Sequence, residues 1–73
     1  MTILDLYIFH SVNDKNFKNG CVKVFVCGAF NCGSTKKMGY RGLKNLINSG
    51  AIIGFEQSSS RYRLLDNKIE VLK

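Results

Sequence analysis

The chain has 73 residues, of which 45% are hydrophobic and 22% are charged, and its formal net charge is +6 at pH 7. So short a chain supports a single hydrophobic core, which excludes a two-domain protein and argues against a large multi-substrate enzyme. The apolar content excludes a disordered chain, and no apolar stretch approaches the roughly 20 residues that a membrane-spanning helix needs. We therefore predict one compact domain over residues 1–73, located in the cytoplasm and without a membrane partner.

The first half of the chain has the alternation of a β-hairpin. Residues 2–9 place apolar side chains on both faces of a predicted strand. Residues 21–27 alternate more clearly, with valines on one face and Lys23, Phe25 and two cysteines on the other. The polar segment between the two strands ends in an Asn-Gly pair, so we predict an antiparallel hairpin with a long loop.

A basic amphipathic helix is predicted next. Ser34 or Thr35 is the expected N-cap and Gly50 the expected C-cap, although the glycines within the segment also allow a start near Gly39. At 100° per residue, the predicted apolar face contains Leu43 and the opposite face is basic.

Three further strands are predicted over residues 51–56, 61–65 and 68–72, with a turn at Asp66 and Asn67 before the last strand. The predicted fold class is α+β, a single small domain with a mainly antiparallel sheet and one amphipathic helix in the order β-β-α-β-β-β.

The positive charge is concentrated in the middle of the chain. Residues 15–44 contain seven lysines and arginines and no acid, whereas a face that only confers solubility normally mixes charges of both signs. We predict that the helix and the following hairpin bind the phosphates of DNA or RNA. The six predicted nucleic-acid-binding residues are Lys36, Lys37, Arg41, Lys44, Arg61 and Arg63.

The segments LKNLINSGAI and IIGFEQSSSRYRLLD resemble the recognition helix and the wing of a winged-helix domain. The resemblance implies that Lys37, Arg41 and Lys44 lie in or beside the major groove, and that Ser59, Arg61 and Arg63 follow the wing. It covers about a third of the chain. Residues 1–28 depart from it, since we predict a hairpin where that family has helices.

The segment from Gly28 to Gly33 has the glycine spacing of a phosphate-binding loop, but Ser34 stands where the essential lysine belongs. A nucleotide hydrolase is therefore not expected. Two interpretations stay open: a seat for one phosphate beside Lys36 and Lys37, or a simple glycine turn before a capped helix.

Three cysteines are too few for a disulfide framework, so we expect free thiols in a reducing compartment. Cys27 and Cys32 are near enough in the chain to meet as metal ligands or as a redox pair. The remaining spacing fits no zinc site, and His10 has no partner that would make it catalytic. The five acids are scattered, so we predict no enzyme activity, no metal and no cofactor.

The alternative function belongs to a different class. A small adaptor or inhibitor, of the kind that viruses encode, would dock on an acidic surface of a larger protein, with basic residues steering the encounter. The predicted anchors are exposed aromatic side chains, namely Tyr7, Phe9, Phe17 and Phe30. The apolar segment 3–9 also predicts a homodimer, formed through an edge strand.

Overall fold

A computed structural model of the chain describes residues 1–15, 17–28, 31–56 and 58–72. Over these residues the chain forms two helices and five strands. In chain order they are α1 (Ile3–Val12), β1 (Val22–Cys27), β2 (Lys36–Met38), α2 (Tyr40–Asn48), β3 (Ile52–Phe55), β4 (Arg61–Leu65) and β5 (Lys68–Leu72). The α+β class with a mainly antiparallel sheet is confirmed, and the observed order is α-β-β-α-β-β-β: a helix replaces the first predicted strand, and the strand β2 is added before the second helix.

Helix α1 occupies the segment predicted to be the first strand, and the hairpin predicted to join it to β1 is wrong with it. The helix starts at a capping box in which the Thr2 hydroxyl accepts from the Asp5 N–H at 3.0 Å. The Asp5 carboxylate in turn accepts from the Thr2 N–H at 3.1 Å. These hydrogen bonds, the one from the Thr2 backbone first, lower the pKa of Asp5. The box satisfies N–H groups that a helix start would otherwise leave unpaired.

The second helix is shorter than predicted because its expected first turn is a strand. Residues 36–38 pair with β1 as β2, so the predicted caps Ser34 and Thr35 are wrong. Helix α2 starts after Gly39, the alternative start allowed by the sequence, and Gly39 caps it with no side-chain hydrogen bond. Gly50 follows the helix at a φ of 90°, as predicted for the C-cap glycine.

The strands form one antiparallel sheet in the order β2-β1-β3-β4-β5. The predicted strands β1, β3, β4 and β5 are confirmed within one residue at each end. Asp66 and Asn67 both have positive φ, at 50° and 64°, which is the backbone of the tight turn favoured between twisted strands.

Both helices cover the same face of the sheet. The buried core combines Leu6 of α1 with Leu43 and Ile47 of α2, and the strands add Val22, Val24, Ile53, Phe55 and Tyr62. Strands β3 and β4, which the winged-helix resemblance assigned to a wing, instead lie inside the sheet with a strand on either side. They are therefore not the free hairpin that a wing requires.

Candidate functional site

The register of the strands assigns each side chain to one of two sheet faces. Phe25 lies opposite Gly54, and Gly54 lies opposite Arg61, so the three residues share a face. Their chain neighbours Val24 and Tyr62 are buried under the helices, so the shared face points away from the helices. We call it the open sheet face. The same alternation adds Lys23, Cys27, Lys37, Ile52, Glu56, Arg63, Leu65, Lys68, Glu70 and Leu72 to it.

The ring of Phe25 reaches over Gly54 in the middle of the open sheet face. The space over β3 is free because Gly54 has no side chain: a Cβ there would lie 2.4 Å from Cε2 of Phe25. The guanidinium carbon of Arg61 lies 5.3 Å from the centroid of the Phe25 ring, within the range of a cation–π interaction. We call this arrangement of Phe25, Gly54 and Arg61 the Phe25 platform.

Two lysines of like charge face each other next to the platform. Lys23 of β1 and Lys37 of β2 are directly paired in the register, and such a like-charge pair destabilises a sheet unless an anion balances it. Glu56 partly balances it, with its carboxylate 3.6 Å from Nζ of Lys23. The two lysines also open onto a cavity of about 320 Å³, the lysine cleft, whose described lining is Asp14, Lys18, Asn19, Cys21, Lys23 and Lys37.

The ion pairs on this face leave part of its positive charge available. Of the pairs between described residues, one joins Lys23 to Glu56 and the other joins Arg63 to Glu70. Lys37 and Arg61 take part in neither, and Lys37 is exposed. A single guanidinium nitrogen of Arg61, Nη1, donates to the carbonyl oxygens of Ser59 and Ser60 at 3.0 and 3.4 Å, and these contacts orient the guanidinium without neutralising it.

The structure divides the six predicted phosphate-binding residues between different surfaces. Lys37, Arg61 and Arg63 lie on the open sheet face, whereas Arg41 and Lys44 are exposed on α2, on the opposite side of the sheet. The reason is strand alternation: Tyr62 enters the core under the helices, so its neighbours in β4 must point the other way. The predicted single surface formed by helix and hairpin is therefore wrong.

Lys36 belongs to neither group. It lies opposite Val24 in the register, so it shares the helix-covered side of the sheet at the exposed β2 edge. The phosphate seat considered at Lys36 and Lys37 depended on a helix starting there, and that start lies at Tyr40 instead.

The predicted aromatic anchors also differ in their surroundings. Tyr7 and Phe17 are half-buried and pack against the core, with their ring centroids 6.3 Å apart, and the Tyr7 hydroxyl donates to the carbonyl oxygen of Gly20. Their expected exposure is therefore wrong. Phe9 is 55% exposed on α1. Phe30 lies outside the described residues.

The cysteines and His10 are structural in their contacts. Cys27 and Cys32 meet, as one open interpretation allowed, and they form a disulfide. The expectation of free thiols is therefore wrong for this pair, and the cysteine content no longer argues for a reducing compartment. Cys21 is a free thiol. Within the described part of the chain, no group of three or more His, Cys, Asp or Glu side chains is placed to hold a metal ion.

His10 belongs to α1 rather than to the end of a strand, and its ring is buried between the helix and the sheet. Its ring stacks on Phe55 with the centroids 3.7 Å apart, and Nε2 lies 3.2 Å from the Tyr62 hydroxyl. Burial lowers the pKa of His10 below its ordinary value, because the charged form loses its hydration.

Sequence reasoning missed Phe25, Gly54 and Lys23 as a functional group. The alternation of residues 21–27 did place Lys23 and Phe25 on one side of a strand. Their meeting with Arg61 depends on the pairing of β1 with β3 and of β3 with β4, which local sequence does not reveal.

Comparisons with known proteins add no family to this description: no protein-family model, no curated protein and no solved structure matches the chain. Neither described helix is long and apolar enough to cross a membrane.

Proposed function

We propose that this protein binds single-stranded nucleic acid on its open sheet face. The observation that carries the proposal is the Phe25 platform, an aromatic ring laid across Gly54 beside the Arg61 guanidinium. A sheet that presents an aromatic ring among cations suits unpaired nucleotides, because every base has a π-face and every nucleotide carries a phosphate.

Each part of the surface has a defined role in this proposal. The Phe25 ring stacks on a base with its free face, and the Arg61 guanidinium, 5.3 Å from the ring centroid, contributes positive charge. Lys23 and Lys37 bind phosphate at the mouth of the lysine cleft, where an anion relieves the repulsion of two facing ammonium groups. Recognition of this kind tolerates different sequences, since stacking and phosphate contacts do not read base edges.

A single strand fits this face better than a duplex. Reading a duplex needs an element that enters a groove, usually a helix or a two-stranded ribbon. The cations of the open sheet face instead rise from paired strands within a sheet, around a ring that reaches a base only when the base is unpaired. We therefore keep the prediction of nucleic-acid binding, and we assign the binding to the open sheet face instead of α2.

The test is a fluorescence-anisotropy titration of short DNA and RNA single strands at several salt concentrations. Contacts from Lys23, Lys37 and Arg61 should give a log-log salt slope of about −2, at roughly 0.7 per contact for a single strand. Phe25→Leu keeps apolar bulk on the sheet but removes the π-face, and stacking is worth about 1–3 kcal/mol per base, so binding should weaken by at least about fivefold.

Phe9→Leu is the matched control because it makes the same chemical change on an exposed ring of α1. It should leave the affinity within about twofold of the wild type, and thermal melting should show that both variants are folded. Absence of binding at low salt, or equal effects of the two variants, would overturn the proposal.

A second candidate function is docking on an acidic protein surface, and it is supported by exposed residues of the two helices. Phe9 is exposed on α1, and Arg41 and Lys44 are exposed on α2, as docking on an acidic protein surface requires. Affinity capture from nuclease-treated lysate separates the two functions. A protein partner that survives nuclease and is lost in Arg41→Gln/Lys44→Gln would favour docking.

A further inference from the structure

Helix α1 presents an apolar surface to solvent as well as to the core. Its inner side buries Leu6 and His10. Its outer side, together with Met1 just before the helix, exposes large apolar residues whose exposed fractions run from 45% to 78%; these are Met1, Leu4, Ile8, Phe9 and Val12. Leu4, Ile8 and Val12 are four residues apart, so they form a straight ridge along the helix. We call the five residues the α1 apolar stripe.

The stripe is larger than scattered surface apolar residues would be. Its members expose the equivalent of about three whole large side chains, which amounts to several hundred Å². A contiguous apolar patch of this size on a soluble domain is typical of an interaction surface, and a helix that is apolar all round is normally covered on every side.

The charge distribution shows which occupant fits. Residues 1–14 contain Asp5 and Asp14 and no lysine or arginine, in a chain whose net charge is +6. The Asp5 carboxylate is already engaged in the capping box. An anionic membrane or an acidic protein would be met best by basic side chains, and the stripe has no lysine or arginine. Two copies of this basic chain, however, repel each other least where lysine and arginine are absent.

We propose that a second copy of the chain covers the α1 apolar stripe, in a two-fold symmetric dimer. In this dimer the two-fold axis runs perpendicular to the two α1 helices, so the helices pack antiparallel, with Leu4 of each copy against Val12 of the other and Ile8 near the axis. A specific interface needs about 500 Å² from each partner, which the stripe and its immediate borders can supply.

The dimer has a geometric consequence for binding. The stripe lies on the helix side of the sheet, so a dimer formed through α1 leaves both open sheet faces uncovered and pointing away from each other. On the proposed function, such a dimer holds two strands, or two segments of one long strand, and gains avidity without new contacts. This consequence rests on the proposed function, whereas the dimer does not.

Sedimentation equilibrium of the full chain without nucleic acid tests the dimer. The wild type should shift from 8.2 kDa toward twice that mass as its concentration rises. Val12→Lys replaces the most exposed member of the stripe, 78% exposed, with little effect on folding. It should raise the dimer dissociation constant at least about tenfold, because two ammonium groups would enter an apolar interface. Ile8→Lys should do the same.

Val26→Lys is the matched control, because Val26 is an exposed valine of β1 outside the stripe, 39% exposed. It should dimerise like the wild type, and circular dichroism should show all variants folded. A wild type that stays monomeric at every concentration overturns the proposal, including the case in which it instead binds vesicles of anionic lipid. A dimer that survives both stripe variants overturns it as well. Neither result bears on the titrations with short single strands, which a single copy can bind, so the two proposals fail separately.

Discussion

The open sheet face and the outer surface of the helices both carry positive charge, but the charges have different settings. On the sheet, cations of three strands are fixed by register around an aromatic ring, with two lysines directly opposite each other. On α2, Arg41 and Lys44 project from a short helix into solvent.

The difference teaches that the arrangement of charge, rather than its amount, indicates where a polyanion binds. An arrangement such as facing lysines costs stability when nothing is bound, and it becomes favourable when an anion is present. Exposed cations one turn apart on a helix repel each other only weakly and serve equally well for solubility.

The largest expected effect is on stability and concerns the disulfide. This bond joins Cys27, the last residue of β1, to Cys32 in the segment before β2. Cys27→Ala/Cys32→Ala should lower the free energy of unfolding by about 2 kcal/mol, as expected for a loop of this length. Urea denaturation measures it. Cys21→Ala removes a free thiol and should have a much smaller effect; equal effects would contradict a specific role for the bond.

The next largest effect is expected on the affinity for a single strand, and the variant that tests it changes no charge on either surface. Gly54→Ala places a methyl group where the Phe25 ring lies, 2.4 Å from Cε2, so the ring must leave the platform. Single-strand affinity should fall about tenfold, or about 1.4 kcal/mol, while the protein stays folded.

The control for that variant adds the same methyl group on the helix side. Gly42→Ala contacts Met38 and touches no part of the open sheet face, so affinity should not change. If the two alanine variants bound equally well, the position of the ring would not matter.

The smallest expected effect is a loss of stability at low pH, and it is caused by His10 of α1, on the helix side of the sheet. Burial lowers the pKa of His10, so the unfolded chain takes up a proton near pH 6.5 that the folded chain does not. Stability should therefore be fully present above about pH 6.5 and should decline as the pH falls below it, by less than about 1.4 kcal/mol per pH unit.

Denaturation curves of the wild type and of His10→Gln between pH 7 and pH 5 test this expectation. The glutamine does not titrate and should flatten the slope. A slope that persists unchanged in the variant would contradict His10 as the source of the acid sensitivity.

Much of the sheet was predictable because its cues are local. β1 has a valine at every second position, and β4 and β5 flank an Asp-Asn turn whose residues tolerate positive φ. Helix α1 was missed because it is apolar around its circumference, which leaves no helical period to detect. The available cue was Thr2 three residues before Asp5, the spacing of a capping box.

The candidate site was less predictable than the fold. β2 is three residues long and is a strand only because β1 offers it an edge. The Phe25 platform joins residues of three strands, and its members are ordinary until register brings them together. Concentrated positive charge was visible in the sequence, whereas its division between two surfaces depended on which side of β4 faces the core.

One pair of matched variants tests the central claim most directly. Lys37→Gln/Arg61→Gln and Arg41→Gln/Lys44→Gln each remove two positive charges, the first from the open sheet face and the second from α2. Salt-dependent titration with a short single strand should give a log-log slope that is shallower by about 1.4 for the sheet pair and unchanged for the helix pair. Equal changes, or a larger change for the helix pair, would contradict binding on the open sheet face.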